Sequence, residues 1–456
     1  MAAPTSPKAS KLPIWLKISY STGDLTTGIP QAVLMFFQLY FLTDVAGLRP
    51  DYAAWAIAAG RVWDAINDPL FGIFSDRIRS RFGRRRVLLL VGALPLGVAF
   101  ALMWLVPNLG EVGLAVYYAL VFILFDTCYT AVHVGYNSLT PELTNDYDER
   151  SSLNGYRMVY SISGSLGAVI LATLLSGAFS DPRQMFAMLG LGLGLFCVIP
   201  PLIVFRVTRK YKSNLETEPL PHKEAILATI KNRPFQLVMG IYLLSWTTAS
   251  VMAAVLVYFA NYYLGVPEQA NYFVVVAQGA AILFVPVIVW LARKLDKRRA
   301  FMIGSGSWII LLLIFFLLSP EQVMVVYLLA GLAGLGIATA YVIPWSMVPD
   351  VIEHDEMATG QRREGSYYAF ASFFQKLGTG AALWAMGQAL AMTGYINPVP
   401  GDPLPTQPDA AILAIRVFIS LVPVGLLLLA IFFAWRYPIT REYHHSLVEQ
   451  LADMDN

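Results

Sequence analysis

The sequence predicts an all-α integral membrane protein with twelve transmembrane helices in two pseudo-symmetric six-helix bundles. Three observations carry this reading. The chain of 456 residues is 57% hydrophobic and only 14% charged, whereas a soluble domain carries roughly 25% charge. Apolar runs of about 20 residues, long enough to cross a hydrocarbon core about 30 Å thick as a helix, recur along its whole length. Finally, Ser138-Leu139-Thr140-Pro141-Glu142-Leu143 is echoed by Ser346-Met347-Val348-Pro349-Asp350-Val351 at an offset of 208 residues, close to half the chain, which points to duplication.

Taken in order, the twelve runs cover 18–43, 52–75, 87–107, 112–136, 155–179, 184–206, 235–263, 270–292, 300–318, 323–345, 366–394 and 410–436. Residues 1–207 then form the first bundle and 234–456 the second, with a short tail. The polar stretch 208–233, broken by Pro219 and Pro221, reads as a cytoplasmic linker with a short amphipathic helix at His222–Lys231. Pro50-Asp51 supplies a helix start for the second run. The opening segment is polar and basic, without the apolar core of a cleaved signal peptide, so the first run serves as its own targeting signal.

Orientation follows from the basic residues. Arg77, Arg79, Arg81, Arg84, Arg85 and Arg86 follow the second run, Arg293, Lys294, Lys297, Arg298 and Arg299 follow the eighth, and Arg206, Arg209, Lys210 and Lys212 lie in the middle linker. All of these loops share the side of the N-terminus, which predicts both termini in the cytoplasm and a multi-pass protein of the plasma (inner) membrane. The same topology accounts for the arginine run without nucleic acid. Cys128 and Cys197 both fall in apolar runs and form neither a disulfide framework nor a zinc spacing. No nucleophile–base pair, metal cluster or phosphate loop suggests an enzyme, and no cofactor is expected.

The second run carries the chemistry. Within Gly60-Arg61-Val62-Trp63-Asp64-Ala65-Ile66-Asn67-Asp68-Pro69, three ionisable side chains lie near mid-membrane, where charge is costly and marks a functional site. Arg61, Asp64 and Asp68 have i, i+3, i+7 spacing and share one helix face, with the two carboxylates about 6 Å apart, close enough to share one small cation. Arg61 is a charge partner for them. Pro69 leaves the Ala65 carbonyl without its helical donor. A purely structural Arg–Asp pair is the competing reading, although it has no use for a second carboxylate. Lys376 lies about ten residues inside the eleventh run, too deep for easy snorkelling.

Twelve spans in two halves resemble the major facilitator superfamily, and Gly72-Ile73-Phe74-Ser75-Asp76-Arg77-Ile78-Arg79-Ser80-Arg81-Phe82-Gly83-Arg84-Arg85-Arg86 is similar to an expanded form of its second-loop signature. Within it, Trp63-Asp64-Ala65-Ile66-Asn67-Asp68-Pro69, Thr43 to Leu48, Tyr156-Arg157 and Lys376 resemble the glycoside-pentoside-hexuronide:cation symporter family. The resemblance implies a coupling-cation site for Na⁺ or H⁺ at Asp64, Asn67, Asp68 and Thr130, with Na⁺ held by Asp64 and Asp68. It places a solute site at Arg157 and Trp345, with Lys376 near both sites. Where the family has a helix-four carboxylate this chain has His133. Asn137 stands in place of a tryptophan, and Gly28 in place of a helix-one carboxylate, for which Asp24, one turn earlier, could substitute. Asp76 with Arg77 is expected to form a cytoplasmic latch, joined by Glu142 with Arg150 and by Asp350 with Arg362 or Arg363. The expected function is cation-coupled symport of a sugar or glycoside by alternating access, in a monomer surrounded by membrane lipid. Sodium-dependent lysophospholipid symporters share the cation aspartates and the deep lysine and offer the alternative solute, a lysolipid. A non-coupled membrane sensor or scramblase is the alternative of another class.

Overall fold

The computed structural model describes residues 12–78, 80–83, 85–144, 147–209, 231–359, 364–399, 403–440 and 442–443. Twelve helical spans cross it in order: α1 (Ile14–Val45), α2 (Pro50–Arg77), α3 (Arg86–Leu102), α4 (Glu111–Asn137), α5 (Tyr147–Ala178) and α6 (Pro182–Thr208). They continue with α7 (Arg233–Tyr263), α8 (Pro267–Leu295), α9 (Lys297–Leu317), α10 (Val323–Thr359), α11 (Glu364–Met392) and α12 (Asp409–Arg436). Nine of them are long and apolar enough to cross a membrane by composition alone. The other three are α3, which is only 17 residues long, and α2 and α11, the helices that carry Arg61, Asp64, Asp68 and Lys376. The expected linker 208–233 and its amphipathic helix fall largely outside the described residues.

Local chemistry sets several helix ends. Asp181 caps α6 by accepting from the Arg183 amide at 2.9 Å, with Pro182 at the first helical position. Asn232 caps α7 by accepting from the Phe235 amide at 3.1 Å, followed by Pro234. Side-chain oxygens at these positions satisfy helix-start amides that have no intrahelical partner, and proline there gives up a donor that was unpaired anyway.

By packing, the chain divides into two compact units, Met1–Leu34 with Val62–Glu218 and Met35–Arg61 with Pro219–Asn456. In the first unit, α3 and α6 cross where Gly97 and Gly194 face each other. A methyl on either would lie 2.5 or 2.6 Å from the other's carbonyl oxygen, so only glycine permits the contact. In the same unit the Lys17 ammonium of α1 pairs with Glu149 of α5 at 2.8 Å and donates to Ser152 at 3.0 Å.

In the second unit, buried Tyr242, Met347, Val351, Ile352 and Tyr367 form a core among α7, α10 and α11. The same unit holds a pair of repeated turns. The end of α1 over Phe41–Val45 and the end of α7 over Phe259–Tyr263 both widen into a π-turn. Each is followed by a glycine with positive φ, Gly47 at 76° and Gly265 at 69°, a conformation that favours glycine. The two motifs, Phe-x5-Gly, are 218 residues apart. Equivalent residues meet: Tyr40 packs edge-on against Tyr258 at 5.9 Å, and the Tyr262 hydroxyl donates to Asp44. Swapped equivalents also pair, Tyr258 with Thr43 at 2.6 Å and Tyr40 with Asn261. The Asp44 carboxylate is buried yet well satisfied. It accepts from Thr43 at 2.5 Å, from Tyr262, and from the Tyr395 hydroxyl at 2.8 and 2.9 Å. Burial and the charge of Asp44 push the Tyr395 phenol well above its ordinary range, so it stays protonated and remains a donor.

Candidate solute and cation sites

Two polar constellations share one side of α4 in the first unit. The first docks α2 onto α4 through three rungs. The Trp63 indole donates to Thr127 Oγ1 at 2.8 Å, Asn67 Nδ2 donates to the Asp126 carbonyl at 3.1 Å, and Thr130 Oγ1 donates to Asp68 Oδ1 at 3.0 Å. Asp64, Asn67 and Thr130 are 3%, 1% and 2% exposed, while Asp68 is half-buried. The expected cation residues therefore stand together as an oxygen-rich set. With its amide nitrogen spent on Asp126, Asn67 keeps Oδ1 as an acceptor. Two carboxylates, an amide oxygen and a hydroxyl form a donor set that suits a hard monovalent cation or a proton.

Arg61 belongs to the second unit. Its side chain packs along α11, where a methyl on Gly380 would approach Cγ to 2.9 Å. Its stem follows the small-residue surface of α11, which admits a long side chain closely.

The second constellation is built by a close crossing of α1 and α5. A Cβ on Gly28 would sit 2.1 Å from the Ser161 carbonyl oxygen, and Ser165 Oγ donates to the Gly28 carbonyl at 3.0 Å. One turn away on each helix, this approach brings Asp24 and Arg157 together. Asp24 closes the single 3₁₀ turn Thr22–Asp24 within α1. Arg157 Nε and Nη2 donate to its two oxygens at 2.6 and 3.3 Å, and the Tyr136 hydroxyl donates to Oδ2 at 2.6 Å. The same guanidinium donates to Asn137 Oδ1 at 2.5 Å and Thr140 Oγ1 at 3.2 Å, and lies over the Tyr136 ring at 4.6 Å. Gly23 makes room for that ring, since a methyl there would come within 2.4 Å of it. Asn137 in turn meets His133 Nε2 at 2.7 Å, and Tyr129 stacks on His133 at 5.3 Å.

Asp24, His133 and Arg157 thus converge through Asn137. Tyr129, Tyr136 and Thr140 belong with them and were not singled out. Their signal was present as polar residues at 129, 133, 136, 137 and 140, a stripe at helical spacing.

In the second unit, Trp345 lies in an aromatic group, edge-on to Tyr242 at 5.4 Å and stacked with Tyr368 at 5.8 Å. Trp246 packs on Tyr341 at 5.0 Å and donates to Thr379 at 3.1 Å, while Tyr242 donates to Gln375 at 2.7 Å. Lys376, beside Gln375 on α11, is half-buried. Of the latch residues, Asp350 is described and is held by Lys297 at 2.7 Å, an ion pair the sequence had not proposed. Lys297 opens α9, and the same ammonium donates to the Ser346 carbonyl at 2.7 Å, which fixes it beside α10. The side chains of Asp76, Arg77, Glu142, Arg150 and Arg363 lie outside the described residues.

Twelve helices with carboxylates, a guanidinium and a histidine inside their apolar spans define a membrane transporter of the major facilitator fold. The D-xylose-proton symporter superposes with a TM-score of 0.65 over 93% of this chain and 98% of its own, at 14% identity. The nucleoside transporter NupG gives 0.66 over 93% and 99%, also at 14% identity. A family model described as MFS/sugar transport protein matches residues 19–441, and the chain belongs to that family. Its relatives include an uncharacterized symporter of Synechocystis, 34% identical over 97% of both chains. A glucuronide carrier protein homolog of Escherichia coli is 28% identical over 95% of this chain and 94% of its own. The sodium-dependent lysophosphatidylcholine symporter 1-B of Danio rerio is 27% identical over 95% and 88%.

Proposed function

We propose that this transporter couples the entry of Na⁺ or H⁺ to uptake of a sugar or glycoside by alternating access, with both termini in the cytoplasm of the inner membrane. The observation that carries the reading is the placement of two sites on one helix. Thr130, bonded to Asp68, and His133, joined through Asn137 to Arg157 and Asp24, lie one turn apart on α4. The cation would be held by Asp64, Asp68, Asn67 Oδ1 and Thr130. A ligand that orders this turn from one side lowers the cost of ordering it from the other, and such coupling is reciprocal.

The solute site supports a polyhydroxylated molecule. Asp24 and Arg157 neutralise each other, so the network presents directed donors and acceptors with no net charge. Sodium-coupled lysolipid transport is the second reading, favoured by the lysophosphatidylcholine symporter among the relatives. The deciding experiment measures binding by the purified protein in nanodiscs to mono- and disaccharides and to lysophospholipids, with and without Na⁺ at fixed pH. A sugar whose affinity rises with Na⁺, and loses that dependence in Asp68→Asn, is the expected result. A response to lysolipids alone would overturn the sugar assignment and leave the cation site standing.

A further inference from the structure

Asn137 makes two contacts whose chemistry is mutually constraining. Arg157 Nη2 donates to its Oδ1 at 2.5 Å, and a guanidinium has only protons to give. Turning the amide over would set its N–H groups against those of the arginine, so this contact assigns the orientation. Nδ2 therefore faces His133 Nε2 at 2.7 Å. An amide nitrogen also has only protons to give, so Nε2 must offer its lone pair.

We propose that Asn137 is a positioning residue that holds His133 in its neutral, Nδ1-protonated tautomer. The order is relayed from the α1–α5 crossing. Asp24 aligns Arg157 through two of its donors, Arg157 aligns the Asn137 amide, and the amide selects which imidazole nitrogen carries the proton. Helical spacing makes the last link local, because residues 133 and 137 are i and i+4 on α4. Stacking of Tyr129 on the imidazole, with the planes 14° apart, fixes the ring itself.

This inference rests on the reading that His133 belongs to the solute site, and it specifies what the ring can do there. His133 occupies a wall in which a carboxylate would only accept. In this chain Nε2 is committed to Asn137 and Nδ1–H is the ring's donor, so the polarity of that position is reversed.

Nitrogen NMR of the ¹⁵N-histidine-labelled full chain in nanodiscs at neutral pH tests the proposal without any solute. The chain contains five histidines, and loss of one signal set in His133→Gln assigns the residue of interest. In the native protein Nδ1 should resonate in the protonated range and Nε2 in the unprotonated range. Asn137→Ala should give a mixture of tautomers. Asn137→Asp, whose carboxylate can only accept, should move the proton to Nε2. A native spectrum with a proton on Nε2, whether as the other tautomer or as imidazolium, overturns the proposal. So does an unchanged tautomer in Asn137→Ala, and the native spectrum decides alone if that variant does not fold. Failure of sugar binding would leave this result untouched, so the two readings fail separately.

Discussion

Replacing Gly28 with alanine tests how the solute network is assembled. The added methyl would lie 2.1 Å from the Ser161 carbonyl oxygen and 2.8 Å from its carbonyl carbon. Carbon and oxygen settle at about 3.3 Å or more, so α1 and α5 must separate by roughly 1 Å. Ser165 then loses its 3.0 Å bond to the Gly28 carbonyl, and the Asp24–Arg157 contacts at 2.6 and 3.3 Å stretch with it. Overpacking of this kind costs about 1–3 kcal/mol and the lost hydrogen bond about 1 kcal/mol, against about 1 kcal/mol gained from alanine's helix preference, so the variant should be destabilised by about 1–3 kcal/mol. The sign is diagnostic, because alanine is the better helix former by about 1 kcal/mol where nothing obstructs it. Gly167 on α5, with no atom within 4 Å of a built Cβ, provides the matched control. Denaturant or thermal unfolding in detergent should show Gly28→Ala well below the native protein and Gly167→Ala at or above it. Equal stability of the two variants would refute the close-crossing argument.

Thr130→Val should raise the Na⁺ or H⁺ concentration for half-maximal uptake by up to about tenfold, the equivalent of one hydrogen bond, while sparing the rate at saturating cation; an unchanged cation response would remove Thr130 from the site. Arg157→Lys should lower solute affinity at least about tenfold, because one ammonium cannot hold Asp24 bidentately and also order Asn137. Native affinity in that variant would show that the arginine fork is not required. Asp44→Ala leaves the hydroxyls of Thr43, Tyr262 and Tyr395 without their shared acceptor and should destabilise by several times the roughly 1–3 kcal/mol of a single unsatisfied group. Asp44→Asn, which keeps one acceptor, should cost less, and identical unfolding of the two would contradict the clamp.

The residues of the proposed cation site were legible because hydrocarbon makes intramembrane charge conspicuous. Asp64 and Asp68 interrupt an apolar run, and their spacing alone places them on one face. Asp24, His133 and Arg157 were reached by resemblance and by face arithmetic. Tyr136 and Thr140 were passed over despite lying on the same helical stripe, because a tyrosine or threonine in a membrane helix is common and its partners are distant. Tyr136 reaches Asp24 across 112 residues and Arg157 reaches it across 133. The approach of the Arg61 side chain to Gly380, more than 300 residues away, was likewise beyond what sequence spacing shows.

By itself the sequence determined the number of spans, the expected sidedness and the helix whose acids the proposed coupling uses. Each follows from a cost the bilayer imposes locally, on exposed backbone, on basic loops crossing the membrane and on buried charge. The tertiary structure decided which polar groups share a proton or an acceptor. The α1–α5 crossing at Gly28 sets the Arg157 fork, the Thr130–Asp68 rung orders the cation side, and the repeated turns at Asp44 and Tyr262 meet as equivalents. Those choices depend on distances of a few tenths of an ångström between remote segments, which residue type and spacing do not encode.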